Sequence, residues 1–314
     1  MGDYLVTVSI LLAVYKGEAF LRPQLESLSA QTFSDFAVLW QDDGSEDRTP
    51  EILSEYGKLD RRFRAGTEQG KHLGAAANFL SLLRQSEGDY LLFCDQDDIW
   101  EKEKVETLLK ACRQAESEHP GQPVLVHSDA SIIDQDGRET APSFFRLQGW
   151  DPGAVHLNQL LVQNNATGCM MLLNRPLASL IIQHGNPEKM FMHDWFIALT
   201  AAAFGQVVFV DIPLTRYRQH GHNVIGASHS SLLQRGLRAL SQRKAARERI
   251  ALTYSHTRAF REAFGDALPP EARRLTECYL ETQSMGKLRR IITVYRLGCR
   301  MQNPVTRFGQ ILFG

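Results

Sequence analysis

Three aspartates, Asp95, Asp97 and Asp98, stand within four residues, directly after the apolar run Tyr90–Cys94 in "GDYLLFCDQDDIW". Ionised carboxylates this close repel one another, so the cluster is costly unless a cation or a hydrogen-bond network neutralises it. Two readings follow: a polar turn closing a strand, or a metal site that holds an anionic ligand. Other residues could join such a site. Tyr15 and Glu18 stand in "AVYKGE", and Asp42 and Asp43 in "QDDGSEDRT". Asp194 opens the helical pattern of "HDWFIALTAAAF", where an aspartate is an ordinary cap. His220, in "RQHGHN", is a structural turn histidine or a ligand, since neutral imidazole suits Mn²⁺.

The elements around these residues alternate. Val6 to Ala13 and Phe36 to Trp40 read as short strands, as do Tyr90 to Cys94, Val124 to His127 and Val207 to Val210. Between them, residues 18–30, 72–86 and 102–115 show helical spacing, and a helix starts at Thr49-Pro50, with Pro50 suited to the first helical position. Residues 156–163, 176–184 and 193–204 also read as helical. Such alternation implies an α/β fold, a mostly parallel sheet with helices on both faces. Ligands then bind at the carboxyl ends of the strands, where the strand-one turn and both acidic turns lie.

With 314 residues, 43% hydrophobic and 23% charged, the chain is ordinary for a globular protein. Its net charge of −1 hides an asymmetry. Residues 228–314 hold 16 Lys and Arg against 6 Asp and Glu, a balance of +10, so residues 1–227 carry −11. A basic tail suits an anionic lipid surface, nucleic acid or an anionic acceptor, or is a solvated helical face. In "GKLRRIITVYRLGCRMQNPVTRFGQILFG" arginine is interleaved with apolar side chains, as in interfacial amphipathic helices. Few aromatics there are arranged for base stacking and the body is acidic, so no nucleic-acid partner is expected. The five cysteines show no paired spacing, which points to a reducing compartment. No uncharged run reaches the length of a membrane span. The expectation is a cytoplasmic protein, peripheral on the inner face of the membrane.

Order and spacing together carry more than any single motif. The segments "VSILLAVYKGEAFLRPQLESLSAQTF", "QDDGSEDRT", "GDYLLFCDQDDIW", "VQNNATGCMMLLNR", "MHDWFIALTAAAFG" and "YRQHGHNVIGA" resemble family 2 glycosyltransferases of the GT-A fold, and most closely the bacterial rhamnosyltransferase-like branch. The resemblance covers residues 6–227. It implies a catalytic domain over 1–227 and a basic amphipathic helical tail over 228–314. It also implies an inverting transfer from a nucleotide-diphosphate sugar, dTDP-L-rhamnose first, onto a lipopolysaccharide core, O-antigen or capsule acceptor.

By this likeness Asp97 binds a divalent cation, Mn²⁺ or Mg²⁺, with His220 as a second ligand. Asp95 contacts ribose or a metal-bound water, and Gln96 lies between them. Tyr15 stacks on the nucleobase, Ala13 lines it, and Asp43 accepts from a pyrimidine N3–H. Glu18 and Asp42 support these contacts, Asn78 lies beside the nucleotide, Arg218 reaches phosphate, and Trp195 lines the sugar or acceptor pocket. Asp194 matches the general base. His72 stands where relatives often carry asparagine. UDP-hexose or UDP-N-acetylhexosamine transfer and a catalytically idle scaffold are the alternatives. A nucleotidyltransferase would show a Gly-rich phosphate loop after strand one, which "AVYKGEAF" lacks.

Overall fold

The computed structural model describes residues 7–190, 192–220 and 238–313. The chain begins with three strand–helix units and a fourth strand: β1 (Val8–Val14), α1 (Leu21–Ser29), β2 (Phe36–Asp42), α2 (Thr49–Leu59), β3 (Phe63–Ala65), α3 (Ala75–Gln85) and β4 (Tyr90–Cys94). It continues through β5 (Ile99–Trp100), α4 (Lys104–Glu118), β6 (Val124–Ile133), β7 (Glu139–Ala141), α5 (Phe144–Gln148), α6 (Leu157–Leu160), β8 (Met171–Asn174), α7 (Arg175–His184), α8 (His193–Phe204) and β9 (Gln206–Arg218). Among the described residues four helices follow: α9 (Arg238–Phe264), α10 (Pro270–Glu281), α11 (Lys287–Leu297) and α12 (Pro304–Phe313).

All strands join one sheet in the order β3-β2-β1-β4-β8-β6-β9-β5, with β7 beside β6. β1 is parallel to β2 and β4, and β6 to β9, while β8 runs antiparallel between β4 and β6. The sheet is thus mixed, as the short β8 reverses direction inside an otherwise parallel core. Chain order reverses beside β1, so the carboxyl ends of β1 and β4 flank the switch point where such sheets bind ligands.

β1 is apolar on both faces because both are covered. Leu11, Leu91, Phe93, Leu125 and Leu173 face a core with α3, α7 and α8. Ile10, Leu12, Val38, Leu92 and Val126 face another, with α1, α2 and α4. The switch between the two sets is the period of two that a strand dictates.

β6 and β9 are longer than their apolar runs suggest. Polar Ser128, Asp129 and Ser131 interrupt the pattern of β6, yet every residue of the strand is buried. Asp129 marks a register shift against β9. Its Oδ1 accepts from the Phe144 and Phe145 amides and its Oδ2 from the Ser143 hydroxyl, which fixes the start of α5. Residues 156–163 are helical only over Leu157–Leu160.

The boundary expected at residue 227 lies outside the described residues. Beyond it, Tyr254, Phe260, Phe264, Tyr279, Val294 and Cys299 are buried in the same cluster as β4, α3 and α8. The basic helices therefore pack onto the body with one face. Phe260→Ala should cost about 3–5 kcal/mol of global stability. Urea unfolding followed by tryptophan fluorescence and by far-UV dichroism should show one shifted transition. Two separated transitions, with only the weaker one shifted, would mean an independent tail.

Candidate active site

The loop after β4 carries the three aspartates, and neighbouring elements pin it. Gln96 clips it to the β1 turn: Oε1 accepts from the Tyr15 amide (2.6 Å) and Nε2 donates to the Tyr15 carbonyl (2.7 Å). Arg218, at the end of β9, donates from its backbone amide to Asp98 Oδ1 (3.1 Å) and from Nε to the Asp97 carbonyl (2.8 Å). Its Nη1 reaches the carbonyls of Asp134 and Gln135, and the guanidinium lies 4.9 Å over the Phe20 ring. His220 stacks on that same Phe20 and its Nε2 lies 2.8 Å from Asp97 Oδ2. The structure thus joins Asp97 and His220 from elements 123 residues apart.

Beneath the loop lies Lys104, 0% exposed. Its ammonium donates to the Cys169 carbonyl (2.5 Å) and the Thr215 hydroxyl (2.8 Å), and sits 3.6 Å over the Trp100 ring. Burial pulls its pKa down to about 8, against the opposing pull of nearby acids and thiols. The carboxylates shift the other way. Burial raises Asp98 to about 7, with the Asp97 charge adding and Lys104 opposing. Asp95 stands well above the usual carboxylate range, through burial first and then Asp98, Asp97 and Asp194. An ammonium in the core below repelling carboxylates offsets part of their charge.

The donor set fits a hard divalent cation. Asp98 Oδ2 is buried without an N–H or O–H donor. Asp95, Asp98 and Cys169 also place ligand atoms within 4.8 Å of one another. The Cys169 thiol is pushed far up by burial, so it stays protonated and is a poor ligand. Carboxylate oxygens with one imidazole, as in Asp97 and His220, suit Mn²⁺ or Mg²⁺ better.

At the β1 and β2 ends, Tyr15 is 46% exposed and its ring meets His72 edge-on at 6.5 Å. Ala13 lies part-buried behind it. The acidic pair is tied to backbone. Asp43 accepts from the Leu73 and Gly74 amides, and Asp42 from Gly44, Ser45 and the Ser45 hydroxyl. Glu18 Oε2 accepts from the Arg48 amide. Gly44 has φ +95°, and a Cβ there would clash with the His72 ring. His72 itself holds a left-handed φ of 53°. Asn78, expected beside the nucleotide, is instead buried with its amide bonded to Gln41 at both ends. It braces β2 against α3.

Asp194 opens α8 and is 5% exposed. Its Oδ1 accepts from the Trp195 amide (2.6 Å). Burial raises its pKa to about 7, with backbone hydrogen bonds from Trp195 and Gly168 pulling down. Gly168 lets α8 start this close: a Cβ there would lie 2.9 Å from His193 Nε2 and 3.7 Å from Asp194 Cβ. Because β8 is antiparallel, residue 168 sits at the same sheet edge as the acid loop. The Asp194 charge acts on Asp95 across this edge. Trp195, expected to line a pocket, is core: its indole donates to the Leu160 carbonyl (2.7 Å) and stacks on His256.

The family model described as glycosyl transferase family 2 matches residues 9–180, more than half of the chain. The chain belongs to glycosyl transferase family 2. The matched stretch contains the acid loop and ends before Asp194. Over 252 residues the chain is 27% identical to EpsH of Bacillus subtilis, covering 76% of this chain and 68% of EpsH. It is 25% identical over 230 residues to the dTDP-rhamnosyl transferase RfbG of Shigella flexneri, covering 70% and 75%. S. aureus TarS 1–349 in complex with UDP superposes with TM-score 0.53 at 16% identity, covering 97% of this chain and 87% of that 1–349 chain. The mannosyltransferase PcManGT of Pyrobaculum calidifontis, in complex with GDP-Man and Mn²⁺, gives 0.52 at 15% identity, covering 94% and 74%. The fold of this family 2 glycosyltransferase is GT-A.

Sequence reasoning missed Lys104 and Gly168 in this family 2 site. Lys104 reads as one of many lysines at a helix start, and only its burial separates it from them. Carboxyl ¹³C NMR of the metal-free glycosyltransferase should show two aspartates titrating near pH 7. One should vanish in Asp194→Asn and the other in Asp98→Asn, and Lys104→Met should move the Asp98 titration upward. Titration of every aspartate below pH 5 would contradict this electrostatic picture.

Proposed function

We propose that this enzyme is an inverting transferase that moves a sugar from a nucleoside-diphosphate donor to a glycan or glycolipid hydroxyl, with dTDP-L-rhamnose the first donor to test. The observation that carries it is the pairing at one sheet edge of an acidic loop with a separate buried carboxyl, Asp194, whose pKa lies near neutrality. The RfbG likeness supports the rhamnose donor. The acceptor class, a lipopolysaccharide core, O-antigen or capsule precursor, comes from the same branch resemblance.

Inversion needs one base on the face opposite the leaving group. Asp194, raised to about 7, suits that role and takes the acceptor proton as the oxygen attacks the anomeric carbon. A divalent cation held by Asp97 and His220, when bound, supplies charge neutralisation for the departing diphosphate. Asp95 would contact the donor ribose or a water on the cation, and Gln96 keeps the acid loop against the nucleotide turn. Tyr15 offers its exposed face to the base, with Ala13 beside it. Glu18, Asp42 and Asp43 hold the nucleotide turns through hydrogen bonds from the Arg48, Ser45 and Gly74 amides, and Asp43 keeps the lone pairs to accept from a pyrimidine N3–H. Arg218 holds the acid loop from the side, and Asn78 braces β2 against α3. In this reading neither touches the donor.

Two outcomes follow. A panel of dTDP-, UDP- and GDP-sugars with Mn²⁺ should give nucleotide release from one donor class. EDTA should abolish it, and Asp97→Ala should cut it at least about a hundredfold. Release from none, with no nucleotide binding by calorimetry, would leave a catalytically idle scaffold. The carboxyl of Asp194 holds its proton below its pKa and cannot accept another. The rate constant kcat/KM for transfer should therefore fall as pH drops through about 7, and Asp194→Asn should lose transfer while still binding donor. A flat profile down to pH 5 would remove Asp194 as the base.

A further inference from the structure

The basic helices present a second face that the core does not use. On α11, Leu288, Ile292 and Tyr295 are exposed at positions i, i+4 and i+7. On α12, Val305, Phe308 and Leu312 are exposed at i, i+3 and i+7. Each set is one stripe of a helix. Leu288, Val305 and Phe308 are 73%, 79% and 61% exposed, well beyond a scatter of surface apolar residues. The Lys287 ammonium donates to the Leu312 carbonyl (3.0 Å), tying the start of α11 to the end of α12. An open groove of about 500 Å³ lies between them, lined by Ile291, Ile292, Tyr295, Arg296 and Ile311.

Charge selects the occupant. After Glu281 the chain has six Lys and Arg and no Asp or Glu. Lys287, Arg289, Arg296 and Arg300 are exposed around the stripes. A two-fold contact between copies of this face would set cation against cation. An anionic lipid surface answers both features at once, since headgroups take the cations and the apolar stripes enter the interface. No described helix is long and apolar enough to cross a membrane.

The face also has a definite place relative to Asp194. The strap of residues 148–163 joins them. Its Leu160 carbonyl takes the Trp195 indole N–H, next to Asp194. Its Asn158 donates to the Leu297 carbonyl (3.0 Å), and its Gln163 Oε1 accepts from the Gln302 amide (2.9 Å). The Asn303 amide closes the contact on the Gln148 carbonyl. The turn between α11 and α12 is thus fixed to the segment whose Leu160 carbonyl takes the indole of Trp195, the residue after Asp194.

We propose that α11 and α12 together form a docking face for an anionic membrane, which brings a lipid-borne acceptor to the Asp194 side of the site. The docking stands on the face alone, and the choice of acceptor rests on the transferase reading above. Flotation of the full chain with phosphatidylcholine vesicles containing about 30% phosphatidylglycerol tests the docking without donor or acceptor. Wild type should float with these vesicles and not with pure phosphatidylcholine. Leu288→Glu with Phe308→Glu, and separately Arg289→Glu with Arg296→Glu, should each weaken binding at least about tenfold. Both should keep the wild-type dichroism, melting temperature and donor hydrolysis. Wild type that fails to float, or variants that float equally well, would overturn the proposal. So would sedimentation velocity showing a dimer that Phe308→Glu dissociates while vesicle binding is absent. Vesicle binding with neither nucleotide release nor nucleotide binding would uphold the docking face and refute the transferase reading separately.

Discussion

The mutual repulsion of Asp95, Asp97 and Asp98 is the constraint to which the surrounding structure answers. Three carboxylates end a buried strand, and water alone does not screen them. The fold supplies what is missing from several directions. Lys104 sits in the core below with its ammonium held by a carbonyl, a hydroxyl and an indole face. Arg218 holds the loop's backbone from the side, Gln96 fastens it to the β1 turn, and His220 closes on Asp97. Compensation is incomplete: Asp95 and Asp98 remain raised, and Asp98 Oδ2 keeps no N–H or O–H donor. A site left short of positive charge at a strand-end cleft is poised for a cation.

The second acidic function is kept apart by topology. Asp194 is carried on α8, and the antiparallel β8 brings residue 168 to the same sheet edge so that α8 can start there. Its environment differs from that of the loop. Burial, not neighbouring charge, raises it. Burial is the first cause in both places, and neighbouring carboxylates add to it only in the loop. In the proposed reading this separation keeps the acids that would hold a cation apart from the one that would accept a proton.

Much of this is legible in the residue pattern. The apolar runs of β1, β2 and β4 and the helical spacing of α8 place Tyr15, Asp42, Asp97 and Asp194 on the right elements. Polar core residues are where pattern reading stops. Ser128, Asp129 and Ser131 break the apolar run of β6, yet the strand continues because Asp129 commits its oxygens to α5. Asn78 and Trp195 are ligand contacts by the family likeness, while their partners, Gln41 and the Leu160 carbonyl, lie 37 and 35 residues away and cannot be read from spacing. Lys104 is the sharpest case, since lysine is among the residues least often buried. The tail's two-sided character is half legible: the interleaving of arginine and apolar residues gives the outer face, but the aromatic anchors of α9 and α10 show only in the packing.

The central claim is that a single base, Asp194, works opposite the leaving group. The most direct measurement is the anomeric configuration of the product, read by NMR coupling constants after transfer from whichever donor turns over. A configuration opposite to that of the donor sugar is the expected result. Retention would require a second nucleophile or front-face attack and would contradict the role given to Asp194.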